Sequence, residues 1–334
     1  MTAAPETTTS GIAEADWATA VEAIGQADSI LLACHLNPDG DALGSMLAAG
    51  LGLAQLGRPV QASFPSPFEL SGVLADLPGR ELLVPADQAD AAPDLLVTFD
   101  AGSADRLGDL RDRLDTAGRA LVLDHHASNT RFGTLNLVDA GAAATGVLVD
   151  QLLTRLGARL TPEIAECLYV AVSTDTGSFK YQATTPSVHE LAARLLATGI
   201  DHAGLSRRLY DTRPFGAVRL LGEVLARATR DTTGAGLVAS YATLDDLARH
   251  GQRPESLESV IDVLRTAEEA EVACVAKQLG PDEWAVSLRS KGGVDVSRVA
   301  VALGGGGHRY AAGFTGHGSA DDVLAAVRTE LARA

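Results

Sequence analysis

The chain has 334 residues, so at about 150 residues per domain two domains are expected, each able to bury its own core. Its hydrophobic fraction of 46% and charged fraction of 21% are those of a globular protein and exclude a largely disordered chain. The 27 Lys and Arg against 43 Asp and Glu leave a net charge of −16, which disfavours long tracking along duplex DNA; a small phosphorylated substrate stays open where divalent metal and local basic groups offset the repulsion.

The opening MTAAPETTTS reads as a disordered tail. It has neither the basic start nor the apolar stretch of a signal peptide, and no later run approaches the roughly 18 apolar residues of a membrane span, so a cytoplasmic protein without a membrane partner is expected. Cys34, Cys167 and Cys274 are widely spaced in apolar runs and read as reduced core residues.

From residue 29 short apolar runs alternate with helical stretches. Ser29–Cys34, Leu95–Phe99 and Ala120–Leu123 are continuous runs of strand length, the pattern of parallel strands covered on both faces. Ala42–Leu56 reads as a buried helix stopping at Gly57. Ile164, Leu168 and Val172 recur on one helical face, and Thr185-Pro186 opens a further helix running to about Ala197. The expected fold is α/β: a largely parallel sheet flanked by helices over 11–200, a helical linker over 201–230, and a smaller α/β domain over 231–334. In that last part Gly236–Tyr241, Val272–Gln278 and Glu283–Arg289 read as strands. A helical pattern over Val294–Leu303, the glycine run Gly304–Gly307 and a last helix near Asp321–Arg333 follow.

Acidic and histidine residues fall at the ends of these elements. The first strand runs into His35-Leu36-Asn37-Pro38-Asp39-Gly40-Asp41, the second into Asp100-Ala101-Gly102, the third into Asp124-His125-His126, and Asp175 follows the helix of Ile164, Leu168 and Val172. Taken singly each is ordinary, since Asn-Pro-Asp-Gly-Asp also makes turns and a His pair is usually satisfied by hydrogen bonds. Together they are what a binding crevice at the carboxyl edge of an open α/β sheet requires. Asp39, Asp41, Asp100 and Asp175 with His35 and His125 form an oxygen and nitrogen donor set that suits Mn²⁺. Four carboxylates balance two divalent cations, and two metals about 3.5–4 Å apart can supply hydroxide for in-line attack and steady both oxygens of a phosphoryl transfer. Phosphate ester or anhydride hydrolysis is the expected reaction class.

HLNPDGDALGS at 35–45, FDAG at 99–102, DHH at 124–126 and STDTGSF at 173–179 resemble the motifs of the DHH phosphoesterase superfamily. Arg289-Ser290 and GGGH at 305–308 resemble its DHH-associated C-terminal domain, and the order of domains is most similar to the nanoRNase branch, bifunctional oligoribonucleases and pAp phosphatases. The resemblance implies one metal on His35, Asp39 and Asp100 and another on Asp41, Asp100, His125 and Asp175. Two Mn²⁺ would share Asp100, with Mg²⁺ or Co²⁺ as substitutes. His126 would face the phosphate, and Asn37 the attacking hydroxide. Gly305, Gly306, Gly307, His308, Arg289 and Ser290 would grip a terminal phosphate, a two-domain clamp measuring substrate length. The implied substrates are RNA of two to five residues, linear dinucleotides such as pApA, pAp and, as an extension, cyclic di-AMP. Duplex DNA is excluded, and a homodimer stays open. The alternatives are a RecJ-like single-strand exonuclease, disfavoured by 4% aromatic content, an inorganic pyrophosphatase or exopolyphosphatase, and a non-catalytic nucleotide-binding regulator.

Overall fold

A computed structural model describes residues 11–70, 72–231 and 236–333, without the side chains of Val73 and His308. The tail expected over residues 1–10 lies outside the described residues. The chain divides into two compact units, Met1–Asp211 and Thr212–Ala334.

The first unit contains α1 (Glu14–Gln26), β1 (Ile30–Cys34), α2 (Gly40–Gln55), β2 (Val60–Ser63), β3 (Leu95–Phe99), the short α3 (Arg113–Thr116), β4 (Arg119–Asp124) and β5 (Leu135–Val138). It continues with α4 (Thr145–Leu156), α5 (Pro162–Asp175), α6 (Pro186–Leu196) and α7 (His202–Tyr210). The sheet order is β2-β1-β3-β4-β5 and every pairing is parallel. β1 and β3 are buried at every position because both faces are covered. Leu32, Cys34, Val97 and Phe99 meet Leu43, Met46 and Leu47 of α2 on one side, and Leu31, Ala33 and Leu96 meet Leu107 and Leu110 on the other. The chain leaves β1 toward β2 and returns on the opposite side as β3. That reversal opens a crevice at the carboxyl ends of β1 and β3, where His35 and Asp100 follow their strands.

α2 and α5 pack with almost no side-chain spacing. A Cβ on Gly44 would lie 2.5 Å from the Cys167 carbonyl oxygen, and one on Gly40 would lie 2.4 Å from Thr174 Oγ1. Small residues at these two positions let the backbones approach until the start of α2 and the end of α5 share one site. Asp175 is the last residue of α5, not part of the loop that follows.

β2, β5 and α1 were not expected. β2 and β5 are short outer strands with half-exposed positions, which blurs the apolar run of a central strand. α1 buries Trp17, Ala20, Ala23 and Ile24, small residues apart from two, so its apolar stripe is faint.

The second unit contains α8 (Phe215–Ala226), β6 (Thr229–Arg230), β7 (Leu237–Ala242), α9 (Leu244–Arg249), α10 (Val260–Leu264), β8 (Val272–Gly280) and β9 (Glu283–Ser290). α11 (Val296–Ala302), β10 (Gly306–His308), β11 (Ala311–His317) and α12 (Ala320–Leu331) complete it. Its mixed sheet runs β10-β11-β9-β8-β7-β6. Trp284, Val286 and Leu288 face Val299, Val323 and Val327 on one side, while Ala273 and Val275 face Leu220, Val224 and Ile261 on the other. The stretch 201–230, expected as a linker, is helical but shared. Leu205 of α7 joins the first core and Leu220 and Val224 of α8 join a core of the second, because each helix has an apolar stripe to bury.

The glycine run is structured. Gly306–His308 forms β10 against β11, where a Cβ on Gly305 would stand 2.1 Å from the Gly313 oxygen and one on Gly307, at φ +134°, would stand 2.6 Å from Ala312 Cα. Gly305 and Gly307 are therefore required by the hairpin's own packing, whereas a Cβ on Gly306 meets nothing within 4 Å.

Candidate active site

All six acidic and imidazole donors singled out in the sequence meet in the crevice. His35 Nε2 lies 3.5 Å from Asp100 Oδ2 and 3.8 Å from Asp39 Oδ2. His125 Nε2 lies 3.3 Å from Asp175 Oδ2, 3.5 Å from Asp100 Oδ1 and 3.9 Å from Asp41 Oδ2. Donor atoms of His35, Asp39 and Asp100 fall within 4.8 Å of one another, as do those of Asp41, His125 and Asp175 and those of Asp100, His125 and His126. Asp100 offers one oxygen to each side.

Local structure aims each group. Asp39 caps α2, its Oδ1 accepting from the backbone N–H of Asp41 and Ala42 at 3.1 and 3.0 Å, so Oδ2 turns to His35. Asp100 follows β3 at φ +57°, an uncommon left-handed conformation held by its N–H bond to the Leu123 carbonyl at 3.0 Å. His125 Nδ1 sits 3.2 Å from the Ala142 carbonyl and His35 Nδ1 2.8 Å from the Leu36 carbonyl. A proton on each Nδ1 leaves the Nε2 lone pair for a cation, the usual arrangement behind a metal-ligating imidazole.

Electrostatics favour a cation here. Burial, with the charges of Asp100, Asp175 and Asp39, drives the Asp41 carboxyl well above the usual carboxylate range. Asp175 is pushed up to about 6 by burial, with His125 opposing and Asp100 adding to the rise. Burial also acts on Asp100, but the His35 hydrogen bond and the neighbouring imidazoles outweigh it and hold that carboxyl at about 2. The Cys34 thiol is pushed up first by burial and then by Asp39 and Asp100, and Cys34 packs in the core with Leu32 and Leu43. Crowded carboxylates with imidazole nitrogens among them fit a hard or borderline divalent cation.

His126 is held differently. Its Nδ1 donates to Asp124 Oδ1 at 2.6 Å, and the other oxygen of the buried Asp124 accepts from Asn129 Nδ2 at 2.5 Å. Burial lowers the pKa of His126, but the Asp124 hydrogen bond and the Asp100 charge raise it to about 9 overall. With Nδ1–H committed to Asp124, any further proton the ring takes up goes to Nε2. Asn37 is exposed, at φ +52°, in the turn between His35 and Asp39.

The sequence reading missed Thr145. Its backbone N–H donates to Asp41 Oδ2 at 2.6 Å, its hydroxyl donates to Asp100 Oδ1 at 3.0 Å, and Gly146 N–H donates to Asp41 Oδ1 at 2.9 Å. The amino end of α4 thus grips two carboxylates from different elements, Asp41 in the first turn of α2 and Asp100 after β3. Its only sequence signal is Ala-Thr-Gly ahead of an apolar helical run. Thr145→Val, which removes the hydroxyl at nearly constant volume, is expected to weaken Mn²⁺ binding or turnover by about 10–100-fold, and Thr145→Ser to restore most of it. Titration calorimetry with Mn²⁺ checks this, and wild-type affinity with wild-type turnover in Thr145→Val would overturn it.

In the second unit, pairing places His308, Ala311 and Arg289 in one row across β10, β11 and β9. Arg289 is half-buried, with Nη1 donating to the Leu288 carbonyl at 3.1 Å; the His308 side chain lies outside the described residues. Ser290, expected as a substrate contact, is held within its own unit. It is 3% exposed, donates to Glu271 Oε1 at 3.3 Å and accepts from Gly292 N–H at 3.0 Å, which anchors the following loop.

Residues 29–172 match the DHH family N-terminal domain and residues 235–333 match the DHHA1 domain. The bifunctional oligoribonuclease and PAP phosphatase NrnA of Thermus thermophilus is 34% identical over 91% of this chain and 91% of its own. An exopolyphosphatase-related protein from Bacteroides fragilis superposes with a TM-score of 0.90 at 24% identity, covering 97% of this chain and 98% of that one. RecJ in complex with Mn²⁺ from Thermus thermophilus has the same fold at a TM-score of 0.56 and 17% identity, over 96% of this chain and 54% of its own. With both domains matched in order and close identity across nearly the whole length, the chain belongs to the DHH family, in the NrnA branch.

Proposed function

We propose that this phosphoester hydrolase acts on very short nucleotides: it shortens RNA of two to five residues and linear dinucleotides such as pApA, removes the 3′-phosphate of pAp, and extends to cyclic di-AMP. The observation that carries the reading is the sharing of Asp100 between two donor clusters, with the His126 ring beside it. The donor set fits divalent metal, and two Mn²⁺, replaceable by Mg²⁺ or Co²⁺, would be held by His35, Asp39 and Asp100 and by Asp41, Asp100, His125 and Asp175. Such a pair supplies Lewis acidity and an activated water for in-line displacement at phosphorus.

The chain's own groups do the rest. Asp100 and Asp41, fixed by Thr145, set the spacing of the two clusters. His126 presents the Nε2 proton to a phosphoryl or leaving oxygen, while Asp124 keeps its ring oriented. Asn37, exposed on the turn between His35 and Asp39, would hydrogen-bond the attacking water. Arg289 and His308, with the backbone of Gly305, Gly306 and Gly307, bind a phosphate that does not react. No helix among the described residues is long and apolar enough to cross a membrane, and the proposed location is the cytoplasm.

Side-by-side turnover of pAp, pApA, an RNA pentamer and a 20-residue strand with Mn²⁺ tests the reading. Because the net charge is −16, repulsion grows with each added phosphate, and efficiency is expected to fall steeply beyond about five nucleotides. Equal kcat/KM on the dinucleotide and the 20-residue strand would overturn it in favour of a RecJ-like exonuclease.

A further inference from the structure

The stretch 289–310 of the second unit reverses the charge of the chain around it. It holds four cations, Arg289, Lys291, Arg298 and Arg309, and one carboxylate, Asp295, in a protein of net charge −16. Asp295 is occupied as the cap of α11, its Oδ1 accepting from the Ser297 N–H at 3.1 Å and from the Ser297 hydroxyl at 2.6 Å. Arg298 and Arg309 are exposed and Arg289 is half-buried. An anion near this surface meets attraction, although the chain as a whole repels it.

Tyr310 belongs to the same surface. With Arg309 it makes the turn between β10 and β11, and its backbone is tied to that of Arg289: Ala311 pairs with Arg289 across the ladder, and the Tyr310 carbonyl accepts from the Ser290 N–H at 2.9 Å. The Arg309 carbonyl accepts from the Val296 N–H at 3.0 Å, which fixes the turn to the start of α11. A ring so firmly rooted is nonetheless 43% exposed. Its Cε1 lies 3.8 Å from where a Cβ on Gly292, at φ +130°, would stand, and the Arg309 guanidinium is 5.7 Å from its centroid. The ring therefore leans on backbone that carries no side chain, beside a cation, and keeps open surface toward solvent. An exposed aromatic ring among cations can take a nucleotide's base by stacking and its phosphate by charge.

We propose that Tyr310 is a base-stacking residue that holds the base of the nucleotide whose unreactive phosphate Arg289 binds. The proposal deepens the phosphoester reading and rests on it for the class of ligand. Every base has a π-face, so stacking adds affinity for nucleotides over other phosphate esters without selecting a sequence. That suits an enzyme that degrades short RNA of mixed composition.

The test is calorimetry on the full chain without metal, where the acidic crevice of the first unit repels phosphate and binding reports the second. AMP and ribose 5-phosphate, which has the same sugar and phosphate but no base, are titrated into wild type, Tyr310→Ala, Tyr310→Phe and Arg289→Ala. Wild type is expected to bind AMP about tenfold more tightly than ribose 5-phosphate. Tyr310→Ala should lose that advantage and keep its affinity for ribose 5-phosphate, Tyr310→Phe should retain it, and Arg289→Ala should weaken both ligands alike. In turnover of pApA with Mn²⁺, Tyr310→Ala should raise KM by about tenfold with kcat changed less. Wild-type protein that binds AMP no more tightly than ribose 5-phosphate would overturn the proposal. So would equal losses on both ligands in Tyr310→Ala, which would make the tyrosine a support for Arg289, or a Tyr310→Phe protein as weak as Tyr310→Ala. Wild-type protein that hydrolyses neither pAp nor pApA with Mn²⁺ would refute the proposed function, while the AMP and ribose 5-phosphate titrations would still decide the role of Tyr310.

Discussion

Asp100→Asn is expected to lower turnover of pAp and pApA by at least about 1000-fold, roughly 4 kcal/mol of transition-state stabilisation. The substitution keeps size and hydrogen-bonding shape but removes the one carboxylate that faces both His35 and His125, at 3.5 Å from each. An amide oxygen carries too little charge to serve two cations at once, so excess Mn²⁺ should not restore the rate. The circular dichroism spectrum should be that of the wild type, because Asp100 contributes to the crevice and not to either apolar face of the sheet. Near-normal turnover at saturating Mn²⁺ would show that the two clusters work without a shared carboxylate.

Arg289→Ala and His308→Ala should each lower kcat/KM on pApA by roughly 10–1000-fold, about 1.4–4 kcal/mol, and leave Mn²⁺ affinity unchanged. Both residues lie in the second unit, in one row of its sheet, and none of the six proposed metal donors is in that unit. Their binding energy would act by positioning a phosphate that does not react, so that the scissile one reaches attack geometry. Bis-p-nitrophenyl phosphate has no second phosphate, and its hydrolysis should suffer far less. Steady-state kinetics on both substrates with a metal titration decides the matter. Equal losses on the two, or lost Mn²⁺ affinity, would place these residues at the chemical centre or in the fold.

Much of the first unit could be read in the chain because its central strands are buried on both faces and leave unbroken apolar runs. Leu95–Phe99 is found as expected, and β1 and β4 lie within one residue of the expected runs at each end. The outer strands β2 and β5 escaped because half-exposed positions dilute the same signal. In the second unit the glycine run showed its composition but not its conformation, since a strand that needs glycine for close approach to Ala312 and Gly313 has no periodicity to betray it.

The sequence by itself determined the parts list of the site: carboxylates and imidazoles stand directly after the apolar runs, and the carboxyl ends of parallel strands must lie along one edge. Tertiary structure alone decided which groups hold those parts in place. Thr145 reaches Asp41 and Asp100 across more than forty residues of chain, Gly40 and Gly44 matter through the Cβ atoms they lack, and Arg106 meets His35 from a separate turn. Donor type is written in the side chain, whereas a supporting hydrogen bond or a close backbone approach exists only between segments, and pairing between distant segments leaves no local pattern to read.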